Sequence, residues 1–367
     1  MGDGARVITA LLTAMTVALG VYGRATCHRD TTSGPRPDPR VPPANGPDAQ
    51  EERVAPADVG QVGEPRESQM LNTKLQELRK GGRDTVVYVA PAEDEERAYR
   101  SWIRDVADRA SRGDAPPDTA PPGFVLDRTS GSDDVWLLAE RASHRRGAGA
   151  VAIRVGRQAA GLIVEAPHTF FDAGTLPIAL TAFQRLGCRA LLINTVHRYN
   201  PRLRGESSDG EGGEDGGDVS ASDVAHAPHS FFLAAHEELQ VAFPRATAVQ
   251  LHGFRDEVLD GVSIVLSAAG TRADANLVAS SLRAAPSATL GGPHAVRVFP
   301  DDVRILGGTL NAQARSSARA AAPFLHVEMS KSLRDNMVAD TRVRGQFVVA
   351  LLGPLASSPA PHDAAKH

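Results

Sequence analysis

Gly161-Leu-Ile-Val-Glu-Ala-Pro-His168 is a short apolar run that stops at an ionisable residue behind a proline. A run of this length, with branched residues at its centre and a turn signal at its end, reads as a buried strand. Its neighbours on both sides decide the fold. Downstream, Thr175 predicts the start of a helix that turns Leu176, Ala179, Leu180, Phe183 and Leu186 inward and ends at Gly187, and residues 188–194 are strand-like again. Upstream, residues 150–155 and the turn Gly156-Arg157-Gln158 predict a hairpin partner for residues 159–165. Residues 84–90 predict a strand, followed by an amphipathic helix with Ala98, Tyr99, Trp102, Ile103, Val106 and Ala110 on one face. Further along, Ser230 predicts a cap for a helix through Leu239. Strands are expected at 246–251, 262–267 and 324–328, and helices at 273–284 and 341–352. The alternation predicts an α/β protein: three layers, a mostly parallel (mixed) sheet with helices on both faces, phosphorylase/hydrolase-like in type.

Composition narrows the chemistry. The chain has 367 residues, of which 42% are hydrophobic, enough for a large core. Its 40 basic residues against 44 acidic ones argue against a nucleic-acid binder, which needs a basic face. Two cysteines are too few for a disulfide framework or a thiolate metal site, whereas there are 12 histidines. A metal would therefore be held by histidine and carboxylate.

Residues 1–27 read as a signal peptide or N-terminal anchor, with Cys27 where a lipoprotein would carry its lipid. Residues 28–83 read as a disordered proline-rich tether, 84–355 as the folded domain, and 356–367 as a disordered tail. Residues 203–223, acidic and rich in Gly and Ser, read as a solvated insertion in that domain. The expected location is exported, periplasmic or cell-surface, touching membrane only through the N-terminal anchor or a lipid.

Three predicted strands end in an ionisable residue. The run quoted above ends at His168, Ala248-Val-Gln-Leu-His252 ends before Gly253, and Phe324-Leu-His-Val-Glu328 ends at Glu328. In an open parallel sheet, ligands bind outside the carboxyl ends of the strands, so residues distant in sequence meet there. Asp172 lies four residues beyond His168. Two histidines and one carboxylate leave a fourth position for water, the ligand set of a catalytic zinc ion, and Glu328 is then available to take a proton from that water.

Each residue also has a plainer reading. His168 could shape a turn after Pro167, Asp172 could cap a helix, and Glu328 could pair with Arg334. Their shared placement at strand ends favours a site. In Asp223-Val-Ala-His226, His226 precedes a helix and is expected to contact substrate; His229 and His236 would share a face if both are helical. His197 and Arg198 are expected near the rim. Arg255 and Arg334 are expected to hold a substrate carboxylate, which guanidinium matches with two bonds. Neither a Gly-x-Ser-x-Gly elbow nor a Gly-x-Gly-x-x-Gly loop is present.

Val164-Glu-Ala-Pro-His-Thr-Phe-Phe-Asp-Ala-Gly-Thr175, Gln250-Leu-His-Gly-Phe254 and Leu325-His-Val-Glu-Met-Ser-Lys-Ser-Leu-Arg334 together resemble the His–acid–His–Glu order of zinc-dependent amidohydrolases and carboxypeptidases. That group includes N-acetylmuramoyl-L-alanine amidases and N-formylglutamate amidohydrolases. The resemblance implies that His168, Asp172 and His252 bind zinc and that Glu328 is the catalytic base. It also implies a peptide or amide substrate, with peptidoglycan-derived peptides in reach of an exported enzyme. Two departures stand out. Carboxypeptidases space the first pair as His-x-x-Glu, whereas this chain has His168-x-x-x-Asp172, and the amidases place the acid further along. Glu165 is a substitute ligand by position, but strand alternation points it away from His168. The expected function is a zinc-dependent hydrolase of amide or peptide bonds; the alternative is a non-catalytic tethered surface protein that binds a ligand on the same fold.

Overall fold

In the computed structural model of the chain, residues 66–129, 134–200, 220–269, 273–287 and 290–356 are described. The export segment 1–27, the tether as far as residue 65, insertion residues 203–219 and the tail from 357 lie outside them. Among the described residues, no helix is long and apolar enough to cross a membrane.

The run quoted first becomes β4 (Ala160–Ala166), a central strand with apolar or buried residues on both faces. Leu162, Val164 and Ala166 face one layer of helices; Ile163 faces the other, and Glu165 lies on the same side as Ile163. The other strands are β1 (Phe124–Thr129), β2 (Val135–Glu140), β3 (Ala150–Arg154), β5 (Cys188–Ile193), β6 (Thr247–Phe254), β7 (Ile264–Ala269), β8 (Val296–Val298) and β9 (Phe324–Ser330). They form one sheet in the order β1-β2-β3-β5-β4-β6-β9-β7-β8. The inner strands β5, β4, β6 and β9 run parallel, while β1, β2 and β3 pair antiparallel, as do β7 and β9.

Helices cover both faces. On one side lie α1 (Arg66–Arg79), α3 (Thr175–Arg185), α5 (Ala273–Ala284), α7 (Lys331–Ala339) and α8 (Thr341–Ala356). On the other lie α2 (Glu93–Arg112), α4 (Phe231–Ala242) and α6 (Ala312–Ala320). The fold is thus the expected three-layer α/β class with a mixed sheet. Fully buried Phe183, Phe231, Phe324 and Phe347 anchor the two interfaces, each contributing about 1.5–3 kcal/mol relative to exposure.

Local signals hold well. Helix α2 buries Tyr99, Trp102, Ile103, Val106 and Ala110 of its expected face and leaves Ala98, in its second turn, exposed. Ser230 Oγ accepts from Leu233 N at 3.0 Å to cap α4. Four expectations need correction. Strands β3 and β4 are not a hairpin, because β5 inserts between them, antiparallel to β3 and parallel to β4. Residues 84–90 are not a sheet strand: Val87 and Val89 are exposed, and the Tyr88 and Val89 amides donate to Asn200 Oδ1 and Arg146 O instead. The folded part begins before residue 84, since α1 buries Leu71 and Leu75 in the core. The acidic insertion ends before 220, since Ser220, Ser222 and Asp223 are buried.

Candidate metal centre at the carboxyl edge of the sheet

The site stands where β4, β6 and β9 end. Beyond β4 the chain passes Pro167 and turns at His168, so that Asp172 N donates to His168 O and Asp172 folds back beside it. His252 comes from β6 and stands opposite Glu328 of β9 in register. His168, Asp172, His252 and Glu328 are all buried.

Asp172 Oδ2 lies 3.3 Å from His168 Nδ1 and 3.4 Å from His252 Nδ1. One donor atom from each of the three residues falls within 4.8 Å of the others. Donors around a tetrahedral ion with bonds of about 2.0–2.1 Å sit about 3.3–3.4 Å apart, so both measured separations match edges of such a site. His168 Nδ1 and Asp172 Oδ2 are buried without a well-formed hydrogen bond.

The outer nitrogens explain why. His168 Nε2 lies 2.8 Å from Asp223 Oδ1 and His252 Nε2 lies 2.7 Å from Gln250 Oε1; both partners are acceptors. Each Nε2 therefore carries its hydrogen, and both Nδ1 atoms turn toward the Asp172 carboxylate. Three electron-pair donors facing one another require positive charge between them, either a proton or a cation.

The proton affinities agree. Burial and the Arg198 charge lower the His168 pKa, but Asp223 and Asp172 outweigh them and raise it above the ordinary value. Burial pushes His252 down to about 4, against its contact with Asp172, leaving a neutral imidazole. Burial opposes ionisation of Asp172, yet His168 and His252 hold its carboxyl far below the usual range. The three residues fit a divalent metal; their donor types are equally those of zinc and its neighbours.

Asp223 supports the centre from outside. Besides His168, it contacts His226 Nδ1 at 3.1 Å and pairs with Arg198. Burial raises its pKa, but His168, His226 and Arg198 outweigh that and depress it strongly. The grouping His168–Asp223–His226 is also compact, but there Asp223 already carries a cationic partner in Arg198. A third grouping joins His252, His326 and Glu328, with His326 Nε2 3.8 Å from Glu328 Oε1. Burial, then the neighbouring His252, keeps His326 neutral well below its usual pKa.

Some expected residues stand elsewhere. Arg334, on α7, is buried and gives its guanidinium to the carbonyls of Met329, Ala173 and Phe254, so its expected substrate carboxylate gives way to a backbone clamp. Arg255 is exposed at the exit of β6. His226 is half-buried beside Asp223, with its ring stacked 6.4 Å from that of His168. His229 and His236 do not share a face: His229 is exposed near Glu96, and His236 is fully buried against Glu165. Arg198 reaches the site through Asp223, while His197 packs with Phe170, Phe171 and Tyr199.

Asp223, His326 and Gln250 were missed. Asp223 was hidden in an acidic stretch, although its i, i+3 spacing to His226 was visible. His326 and Gln250 are each two residues before an assigned strand-end residue, so alternation alone places them on its face.

Fold and site together define a class: a three-layer α/β protein with a buried His–Asp–His cluster at the carboxyl edge of its parallel strands. No family model and no curated protein matches the chain. Among solved structures, an N-formylglutamate amidohydrolase from Ralstonia eutropha is 15% identical, over 54% of this chain and 93% of its own, at a TM-score of 0.34. A metallo-carboxypeptidase from Burkholderia cenocepacia is 10% identical over 73% and 70%, at 0.33. An aminopeptidase from Legionella pneumophila is 10% identical over 86% and 81%, at 0.34.

Proposed function

We propose that the chain is a zinc-dependent hydrolase of amide or peptide bonds. The observation that carries this reading is the triangle of buried donors, with Asp172 Oδ2 at tetrahedral-edge distance from two imidazole nitrogens whose rings meet acceptors on their opposite side. His168, Asp172 and His252 would hold the ion. A zinc ion there supplies Lewis acidity, polarising a carbonyl and lowering the pKa of a water toward about 7.

The remaining work falls to the chain's own residues. Asp223 and Gln250 accept the outer imidazole hydrogens and so keep both rings aimed inward. Glu328 stands opposite His252, with a carboxylate oxygen within 4.8 Å of a ring nitrogen, in position to take a proton from an attacking water and return it to a leaving amine. His226, half-buried beside Asp223, would contact the substrate. The compartment predicted from residues 1–27 brings peptidoglycan-derived peptides within reach of such an enzyme.

Metal analysis of purified protein tests the first step. Near-stoichiometric zinc is expected in the wild type and none in His168→Ala or His252→Ala; a wild type without stoichiometric metal removes the proposal. Glu328→Gln tests the second, on a panel of peptides and N-acyl amino acids. It is expected to retain metal and lose roughly 10²–10⁴-fold in turnover, the usual share of a general base. A wild type that binds such compounds without turning any over supports the ligand-binding surface protein instead.

A further inference from the structure

Behind the site, a column of polar side chains runs into the protein on the face of the sheet covered by α4 and α6. Glu165, His236, Gln250, Gln313 and Ser317 are fully buried there, a costly arrangement unless every group is satisfied. Glu165 of β4 stands directly opposite Gln250 of β6, one pleat inward from His252.

The direction of each hydrogen bond can be followed. Glu165 Oε2 accepts from Gln250 Nε2 at 2.9 Å, and Glu165 Oε1 accepts from His236 Nδ1 at 2.7 Å. Asn311 caps α6 by accepting from Ala314 N, which leaves its Nδ2 to donate to Gln250 Oε1. Gln313 donates through Nε2 to Val224 O, which leaves its Oε1 facing Gln250 Nε2 at 3.3 Å. Three neighbours thus impose one orientation on the Gln250 amide. Turning it over would set oxygen against the Glu165 carboxylate and NH₂ against the Asn311 NH₂, leaving several buried groups unsatisfied at about 1–3 kcal/mol each.

We propose that Gln250, locked in this orientation by Glu165, Asn311 and Gln313, sets the tautomer of His252 and so presents the Nδ1 electron pair of that ring to the cation site. The proposal rests on the zinc reading for its consequence, since a fixed tautomer matters most where a metal must be met. Gln250 and Glu165 are positioning residues: neither touches the ion or the substrate.

Nitrogen-15 NMR of the imidazoles in the full-length, metal-free protein tests the tautomer directly. The His252 hydrogen is expected on Nε2; finding it on Nδ1 overturns the proposal whether or not the protein binds zinc. Affinity for Zn²⁺, measured by competition with a chelator, tests the consequence in Gln250→Met, Glu165→Gln and the double variant. Each single variant is expected to weaken binding by about 10–100-fold, the range for partners of metal-bound histidines. Because Glu165 acts through Gln250, the double variant should bind no worse than Gln250→Met. Wild-type affinity in the single variants, or losses that add in the double, overturn the proposal. A wild type that binds no Zn²⁺ sinks the hydrolase reading, and the NMR result alone then decides this one.

Discussion

At the scale of single residues, the site is an arrangement of charge in which two aspartates do different work. Asp172 faces the space between the imidazoles, whereas Asp223 holds the back of one ring and neutralises Arg198. Asp223→Asn keeps an acceptor for the His168 Nε2 hydrogen but removes the charge that makes the ring a strong donor. It should weaken Zn²⁺ binding by about 10–100-fold in chelator competition, with the fold retained by circular dichroism. His197, which belongs to none of the compact donor groupings, offers a titration of its own. Burial, then the charges of Arg83 and Arg198, lowers its pKa to about 4. Between about pH 4 and the unfolded value near 6.5, the unfolded chain binds a proton at this position and the folded chain does not, so its contribution to stability grows with rising pH and levels off above 6.5. In His197→Asn an amide oxygen can still accept from Tyr199 N, as the His197 Nδ1 does now. The stability of wild type relative to this variant, from urea unfolding, should therefore rise from pH 4.5 to 6.5 and be flat from 7 to 8. A difference constant across that range would contradict the buried neutral ring.

At the scale of elements, the question is what keeps three chain segments in register at one edge. Arg334, in the first turns of α7, bonds the carbonyls at the exits of β9 and β6 and the carbonyl just after Asp172. A Cβ on Gly253 would come within 2.3 Å of that guanidinium, and Gly253 has no left-handed backbone to explain its lack of a side chain. Arg334→Leu should cost on the order of 3 kcal/mol in urea unfolding, because it removes three hydrogen bonds to backbone carbonyls, two of them buried. Gly253→Ala should destabilise the wild type but add little to Arg334→Leu, since the clash and the clamp are one feature. Additive losses would separate them. The same elements show how much was legible beforehand. Helices α2, α4 and α5 could be read because caps and 3.6-residue periodicity are local. The placement of His168, His252 and Glu328 near the carboxyl ends of strands was readable for the same reason, although β6 and β9 run two residues past His252 and Glu328. The insertion of β5 between β3 and β4 was not, because pairing depends on contacts distant in sequence. Asp223 and Glu165 likewise acquire meaning only when α4 and the loop before it fold against the sheet, and Arg334 spends its charge on backbone that no motif announces.

At the scale of the whole molecule, the cluster joins the exits of two central strands to the loop that leads into α3, so an ion bound there ties the middle of the sheet together. A ligand that binds only the folded state stabilises it by about 4 kcal/mol at 1,000 times its dissociation constant. For a folded region of this size, each kcal/mol shifts the melting temperature by about 2–4 °C. Removing zinc with a chelator should therefore lower the melting temperature of the wild type by roughly 8–16 °C, and readdition should restore it. Asp172→Ala should melt at one temperature with or without the chelator. It should also melt below the metal-free wild type, because without an ion a proton on His168 faces the Asp172 carboxylate and the variant loses that pairing. The ordering expected by calorimetry is zinc-loaded wild type highest, then the metal-free wild type, then the variant. A chelator shift of the same size in Asp172→Ala would place the ion elsewhere in the fold and disconnect the triangle from the stability of the sheet.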